Sequence, residues 1–177
     1  MLALCCALAH AAPEALRGEP RDGMPGAAAW QEWGSGEMTW FGFALYRATL
    51  WVAGGRAGMV ADDLPAAALA LELDYRRDIP REQLVRTSLD EMRRLGADAA
   101  SLQRWEPELR RVFPDVRAGE RIVGVLLPGQ GARFYHQDRA RGAIGDPEFA
   151  RRFFAIWLDP ASRSPALRAA LLKRPGD

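Results

Sequence analysis

Cysteine and histidine are nearly missing from this 177-residue chain, with two of each. Both cysteines, Cys5 and Cys6, and one histidine, His10, fall in the opening "MLALCCALAHAAPEA". Beyond that opening there is no thiol, so a disulfide framework, a cysteine nucleophile and a zinc-thiolate site are excluded there. His136 alone cannot build a histidine-based metal site, and no metal or other cofactor is expected. Charge of one sign is also lacking. Lys+Arg total 24 and Asp+Glu 23, a net charge of +1, and the basic residues, almost all arginine, scatter along the chain. No field of that kind draws nucleic acid, which is not expected as a partner. No run is long and apolar enough to span a bilayer. Phosphate-cradling Gly/Lys loops, His-Glu-x-x-His helices and Gly-x-Ser-x-Gly elbows are absent, and no catalytic residue is assigned.

What the chain does have begins with a short apolar run ending in Ala9-His10-Ala11, the small-x-small form of a signal-peptidase site. Residues 1–12 are read as a signal peptide, truncated at its start because the usual leading positive charge is missing, and the protein as exported to the periplasm. Residues 13–29, rich in Gly, Pro and Ala, read as a flexible segment. Residues 30–177 are a length suited to one domain.

Met38 to Val52, bracketed by Gly34, Gly36, Gly54 and Gly55, concentrates Trp40, Phe41, Phe43, Tyr46 and Trp51. It reads as one strand covered on both faces, either simply buried or lining a cavity for something apolar. Arg47 shares a side with Phe43, Leu45 and Trp51, so its charge needs a partner or a bound anion. A fatty-acid carboxylate would serve, and so would pairing with Glu72 or Glu37.

Ala68 to Tyr75 alternates Leu69, Leu71, Leu73 and Tyr75 against Ala70, Glu72 and Asp74, the pattern of a half-buried strand. Asp78-Ile79-Pro80 opens a helix carrying Leu84, Val85, Leu89, Met92 and Leu95, with Asp90 and Glu91 on its wet face. A second helix is expected from Asp98 to Phe113, broken in two at Pro107. Arg121–Leu127 and Ala132–Gln137 form a hairpin, Gly142–Ile144 a brief third strand. Helices from Asp146 to Asp159 and from Pro165 to Leu172 complete the chain. Strands, a helical block, strands and helices in that order indicate an α+β domain, helices covering one face of a mainly antiparallel sheet. Asp62-Asp63 are placed in a loop, and His136 in a short strand, with a structural role favoured over a catalytic one.

Several phrases together, "GSGEMTWFGFALYRATLWV", "REQLVRTSLDEMRRLG" and "ELRRVFPDVRAGERIVGVLLPGQGARFYHQDRARGAIGDPEFARRFFAIWLDP", resemble the bacterial exported branch of the chalcone isomerase-like proteins. The shared marks are Gly34 and Gly36; Tyr46 with Ala48, Leu50 and Trp51; Phe113-Pro114 with Gly119-Glu120; Gly129 and Gly131; and Phe149 with Ile156, Trp157 and Leu158. The resemblance implies an open-faced β-sandwich, a large antiparallel sheet backed by helices, with a cleft between the layers. In plant enzymes of that fold the cleft closes chalcones into flavanones using an arginine and polar side chains, while non-catalytic members bind fatty acids. Here Met38 stands where that arginine is usual, and Tyr46 where a plant strand carries threonine, removing groups that would stabilise a phenolate or ketone oxygen. The reading is a non-catalytic protein binding a fatty acid or other small apolar ligand, with Met38, Trp40, Tyr46 and Arg47 as ligand-binding residues. An isomerase or intramolecular lyase, and a ligandless envelope structural protein, are the alternatives.

Overall fold

The computed structural model describes residues 11–18, 30–40, 42–53 and 68–173. Most of the apolar opening and the Asp62-Asp63 pair lie outside these residues. Among these residues the architecture is α+β: one six-stranded antiparallel sheet and four α-helices. The strands are β1 (Trp30–Trp40), β2 (Phe43–Ala53), β3 (Leu69–Tyr75), β4 (Arg121–Leu127), β5 (Gly131–His136) and β6 (Arg139–Ile144). They lie side by side in chain order, each antiparallel to the next. The helices are α1 (Arg81–Arg94), α2 (Ala99–Val112), α3 (Pro147–Leu158) and α4 (Pro165–Leu172).

The strand expected from Met38 to Val52 is instead a hairpin. Trp40 pairs with Phe43, and Gly42 adopts φ +79°, a conformation open to glycine at little cost. The chain therefore reverses inside the aromatic run. β1 extends back to Trp30 through Gly34 and Gly36, whose sequence carries little strand signal. Those glycines serve contact: a Cβ on Gly34 would lie 2.3 Å from the carbonyl oxygen of Ala170, and one on Gly36 2.9 Å from Leu167 Cδ1. α4 seats directly on the β1 backbone, and the Trp33 indole donates to the Leu172 carbonyl at 3.4 Å.

All four helices bury their apolar stripes against one face of the sheet. Leu50, Val52, Leu69, Leu71 and Leu73 meet Val85, Met92, Leu109, Val112, Phe149 and Phe154 there. Burying each such side chain contributes about 1.5–3 kcal/mol. Pro107 does not break α2. It sits on the exposed side of a continuous helix whose Leu102, Trp105 and Leu109 are buried, and that packing outweighs one missing hydrogen bond. β6 is longer than the three residues expected; as an edge strand it carries exposed Arg139 and Arg141.

The sheet's other face is covered as well, by a smaller cluster of Leu16, Trp51, Ala70, Val123, Val125 and Leu127. Leu16 belongs to a 3₁₀ turn, Glu14–Gly18. The beginning of the segment expected to be flexible is thus packed, because Leu16 fills the space over Trp51 and Val123. The Trp30 indole donates to the Leu16 carbonyl at 2.9 Å, and the Ala15 amide to Asp138 Oδ1 at 3.2 Å. β3 is consequently buried on both faces rather than half-buried, and Glu72 is fully enclosed. It accepts from the Trp51 indole at 2.9 Å and pairs with Arg121 at 3.5 Å, and Arg121 pairs in turn with Asp138.

One residue couples two helices. Asp146 caps α3 by accepting from the Glu148 and Phe149 amides at 2.9 and 3.1 Å, and from the Trp105 indole of α2 at 2.8 Å. Burial pushes its carboxyl up, but those hydrogen bonds more than offset this and hold it below the usual value. Its stabilising contribution is present above the unfolded value, about 3.9, and disappears as pH falls through the lower folded value. Asp146→Asn is therefore expected to flatten the loss of stability between about pH 4 and pH 2, as read by urea unfolding at stepped pH.

Candidate functional site

Polar groups converge inside the sheet–helix seam at one end of the sheet, where β1 and β2 meet the end of α3 and the 159–164 loop. Successive strand residues point to opposite faces, so Tyr46 shares the helix side with Ala48 and Leu50. Cross-strand pairing sets Met38 opposite Tyr46 on β1, and Tyr75 opposite it on β3. The two tyrosine rings meet edge to face with centroids 5.8 Å apart. The Tyr46 hydroxyl accepts from the Trp157 indole at 3.0 Å, and the Ser164 hydroxyl donates to Met38 Sδ at 3.0 Å.

Burial pushes the Tyr46 phenol up to about 12, against the lowering effect of the Trp157 hydrogen bond; the Glu91 carboxylate pushes it further up. Burial likewise drives the Tyr75 phenol far upward. Both stay protonated at physiological pH. The Tyr46 oxygen is already accepting, and among the described residues its own proton has no acceptor.

A charged cluster borders this seam. Glu91, expected on the wet face of the first helix, is buried, whereas Asp90 beside it is exposed. Arg94 donates to Glu91 Oε2 through Nε and Nη2 at 2.9 and 2.8 Å, and Arg163 Nε lies 3.2 Å from Oε1. A further nitrogen of Arg94 donates to the Ala161 carbonyl at 2.8 Å. The loop after α3 is thereby pinned to α1.

The structure brings Met38 and Tyr46 together but sends Arg47 to the opposite face. Neighbours along a strand cannot both enter the cleft, and Tyr46 is the one that faces the helices. Arg47 is exposed and donates to Ser35 Oγ at 2.7 Å, opposite Asp74 of β3. Trp40 ends β1 at the hairpin turn, and its side chain lies outside the described residues. His136 is half-buried with Nε2 3.0 Å from Glu120 Oε2. A backbone hydrogen bond from Arg117, and then His136, hold the Glu120 carboxyl below its usual range. Sequence reasoning missed Glu91, Arg94 and Arg163. A signal existed: Glu91 falls seven residues after Leu84 and four before Leu95, on the line those leucines define along the helix.

The seam itself is filled. Phe153 stacks on Phe149 at 5.5 Å and 17°, and packs edge to face on Phe134 and Trp157, each at 5.4 Å. A half-open groove of about 280 Å³ lies elsewhere, between α1 and α2, floored by Val85 and Leu89. Most of its rim charges are paired, Arg110 with Glu82 and Glu106 and Arg93 with Asp90. Among the described residues, no His, Cys, Asp and Glu cluster could hold a metal ion, and no helix is long and apolar enough to cross a membrane.

A family model described as chalcone isomerase-like matches residues 33–173. No curated protein matches. Among solved structures, the crystal structure of a fatty-acid binding protein from Arabidopsis thaliana is similar, with a TM-score of 0.61. Identity is 12%, over 87% of this chain and 94% of that one, a likeness of fold.

Proposed function

The chain belongs to the chalcone isomerase-like family, and on that footing we propose that it is a non-catalytic binding protein for a fatty acid or a similar small apolar ligand. The ligand enters the sheet–helix seam beside Met38 and Tyr46, and the aromatic packing that fills the seam has to part to admit it. One observation carries this reading: the Tyr46 hydroxyl, held by Trp157 within an apolar seam, keeps a proton that no described residue accepts. A neutral phenol presented in that way suits a carboxylate or carbonyl oxygen, which gains most from a hydrogen bond where water is scarce. The fatty-acid binding role of the structurally similar Arabidopsis protein is consistent with such a ligand. Binding is preferred over turnover because Met38 occupies the place of the usual cation, and Tyr46, protonated to about pH 12, is a donor rather than a base.

Tyr46→Phe is expected to weaken oleate binding about tenfold, the value of one hydrogen bond to a charged group, when titrated by calorimetry against the unmodified chain. Equal affinity in the two proteins would remove Tyr46 from the site. The close packing of Phe149, Phe153, Phe134 and Trp157 favours a second reading, a ligandless structural protein with a filled interior. Native mass spectrometry of protein purified gently from its source separates the two. A stoichiometric bound lipid supports the first reading, while an empty protein that also ignores added oleate supports the second.

A further inference from the structure

A fatty-acid carboxylate needs a cationic partner as well as the Tyr46 proton, and Arg47 cannot supply it from the opposite face of the sheet. We propose that Arg94 and Arg163 form the anchor for the ligand carboxylate, and that Glu91 occupies this anchor as an internal stand-in when no ligand is bound. This rests on the binding reading above.

The geometry around Glu91 is that of a bound carboxylate. One oxygen takes a two-pronged contact from Arg94, and the other lies 3.2 Å from Arg163 Nε. The two Arg94 donors converge on a single carboxylate oxygen, a contact that the planar guanidinium makes and a lysine ammonium does not. The guanidinium groups come from separate elements, α1 and the loop before α4, and both border the seam that holds Tyr46 and Trp157. The Glu91 carboxylate is near enough to push the Tyr46 phenol upward.

The parts also differ in freedom. Arg94 is about three-quarters buried and tethered to the Ala161 carbonyl, so its guanidinium stays in place if Glu91 leaves. Arg163 is 65% exposed and free to follow an incoming head group. Exchange of one carboxylate for another conserves charge at the anchor. For the exchange, Glu91, whose side chain is already 11% exposed, turns outward from the anchor toward water. The internal carboxylate thus lowers apparent affinity by holding most molecules in a non-accepting state.

The test titrates the full chain with oleate and with oleyl alcohol, which has the same tail without the carboxylate. Glu91→Gln is expected to raise oleate affinity about tenfold, because the competing charge is gone and the accepting fraction rises. Arg163→Ala, at an exposed position where Arg94 still compensates the Glu91 charge, is expected to lower oleate affinity about tenfold and leave oleyl alcohol unchanged. Arg163→Lys should restore part of the loss, and Arg47→Ala should change neither ligand. Unchanged oleate affinity in both Glu91→Gln and Arg163→Ala would overturn the anchor while leaving the binding reading intact. An unmodified chain that binds neither oleate nor oleyl alcohol would overturn the binding reading itself, and the anchor with it.

Discussion

Replacing Phe149 by alanine is expected to destabilise the protein by about 3–5 kcal/mol, a large part of the roughly 5–15 kcal/mol typical of a domain. Phe149 is fully buried in the first turn of α3, stacked on Phe153 and in edge-to-face contact with Trp105 at 5.7 Å and Phe134 at 6.3 Å. These partners belong to α2, α3 and β5, so truncation opens a cavity bounded by three elements that cannot all close on it. Each aromatic pair also loses about 0.5–1.5 kcal/mol beyond the area term. Phe149→Leu retains most of the volume and should cost less than about 1.5 kcal/mol. Urea unfolding of both variants decides the matter. The alanine variant should shift the midpoint with little change in slope, and a loss below about 1 kcal/mol would mean that the aromatic cluster does not hold α3 to the sheet.

The second large effect is expected on the other face of the sheet. Glu72→Ala removes a fully buried carboxylate that accepts from the Trp51 indole and pairs with Arg121. Breaking a buried pair by deleting one partner typically costs about 3–5 kcal/mol, since the remaining charge has lost its compensation. Arg121 keeps Asp138, which places the expected value toward the lower end of that range. The consequence should extend to the 3₁₀ turn, because Asp138 also accepts from the Ala15 amide. Hydrogen exchange at Ala15 and Leu16 should therefore quicken in the variant along with the drop in urea midpoint. A variant as stable as its parent, with exchange unaltered, would show that the Leu16 cover stands without the buried charges.

Much of this architecture is legible in the amino-acid sequence, for identifiable physical reasons. α1, α3 and α4 carry apolar residues at helical spacing between Pro starts and glycine, proline or polar stops, and a helix depends mainly on such local information. The β4–β5 hairpin was equally plain, since two apolar runs flank a Pro-Gly turn. β1 was not, because its Gly34-Ser35-Gly36 stretch answers to α4, about 130 residues further on, and no local propensity encodes that contact. The hairpin turn at Gly42 was concealed by aromatic residues on both sides.

The candidate site was legible only in part. Tyr46 and Met38 do meet, while Arg47, grouped by alternation with Trp51, lies with it on the face away from the helices although it is named with Tyr46 as a ligand contact. Alternation correctly separates the two sides of a strand, but it does not say which side the helices will cover. Glu91 was read as solvated because charge usually marks the wet side of a helix. Its burial depends on Arg94 and Arg163 arriving from two places in the fold, and Arg163 is remote in sequence. Glu72 escapes for a similar reason, since Leu16, which packs on that face of the sheet, lies far upstream in a segment whose composition reads as flexible.

The seating of α4 on β1 also bears on the order in which the protein can be completed during synthesis. Trp33 and Leu172 stand 139 residues apart, yet they are hydrogen-bonded. The first hairpin leaves the ribosome long before its covering helix is made. Throughout that interval the glycine-lined backbone of β1 has no α4 to close over it. Exposed strand surface of this kind invites pairing with other nascent chains. The growing polypeptide is accordingly most vulnerable to association just before α4 emerges, and its last helix acts as the closure that ends that exposure.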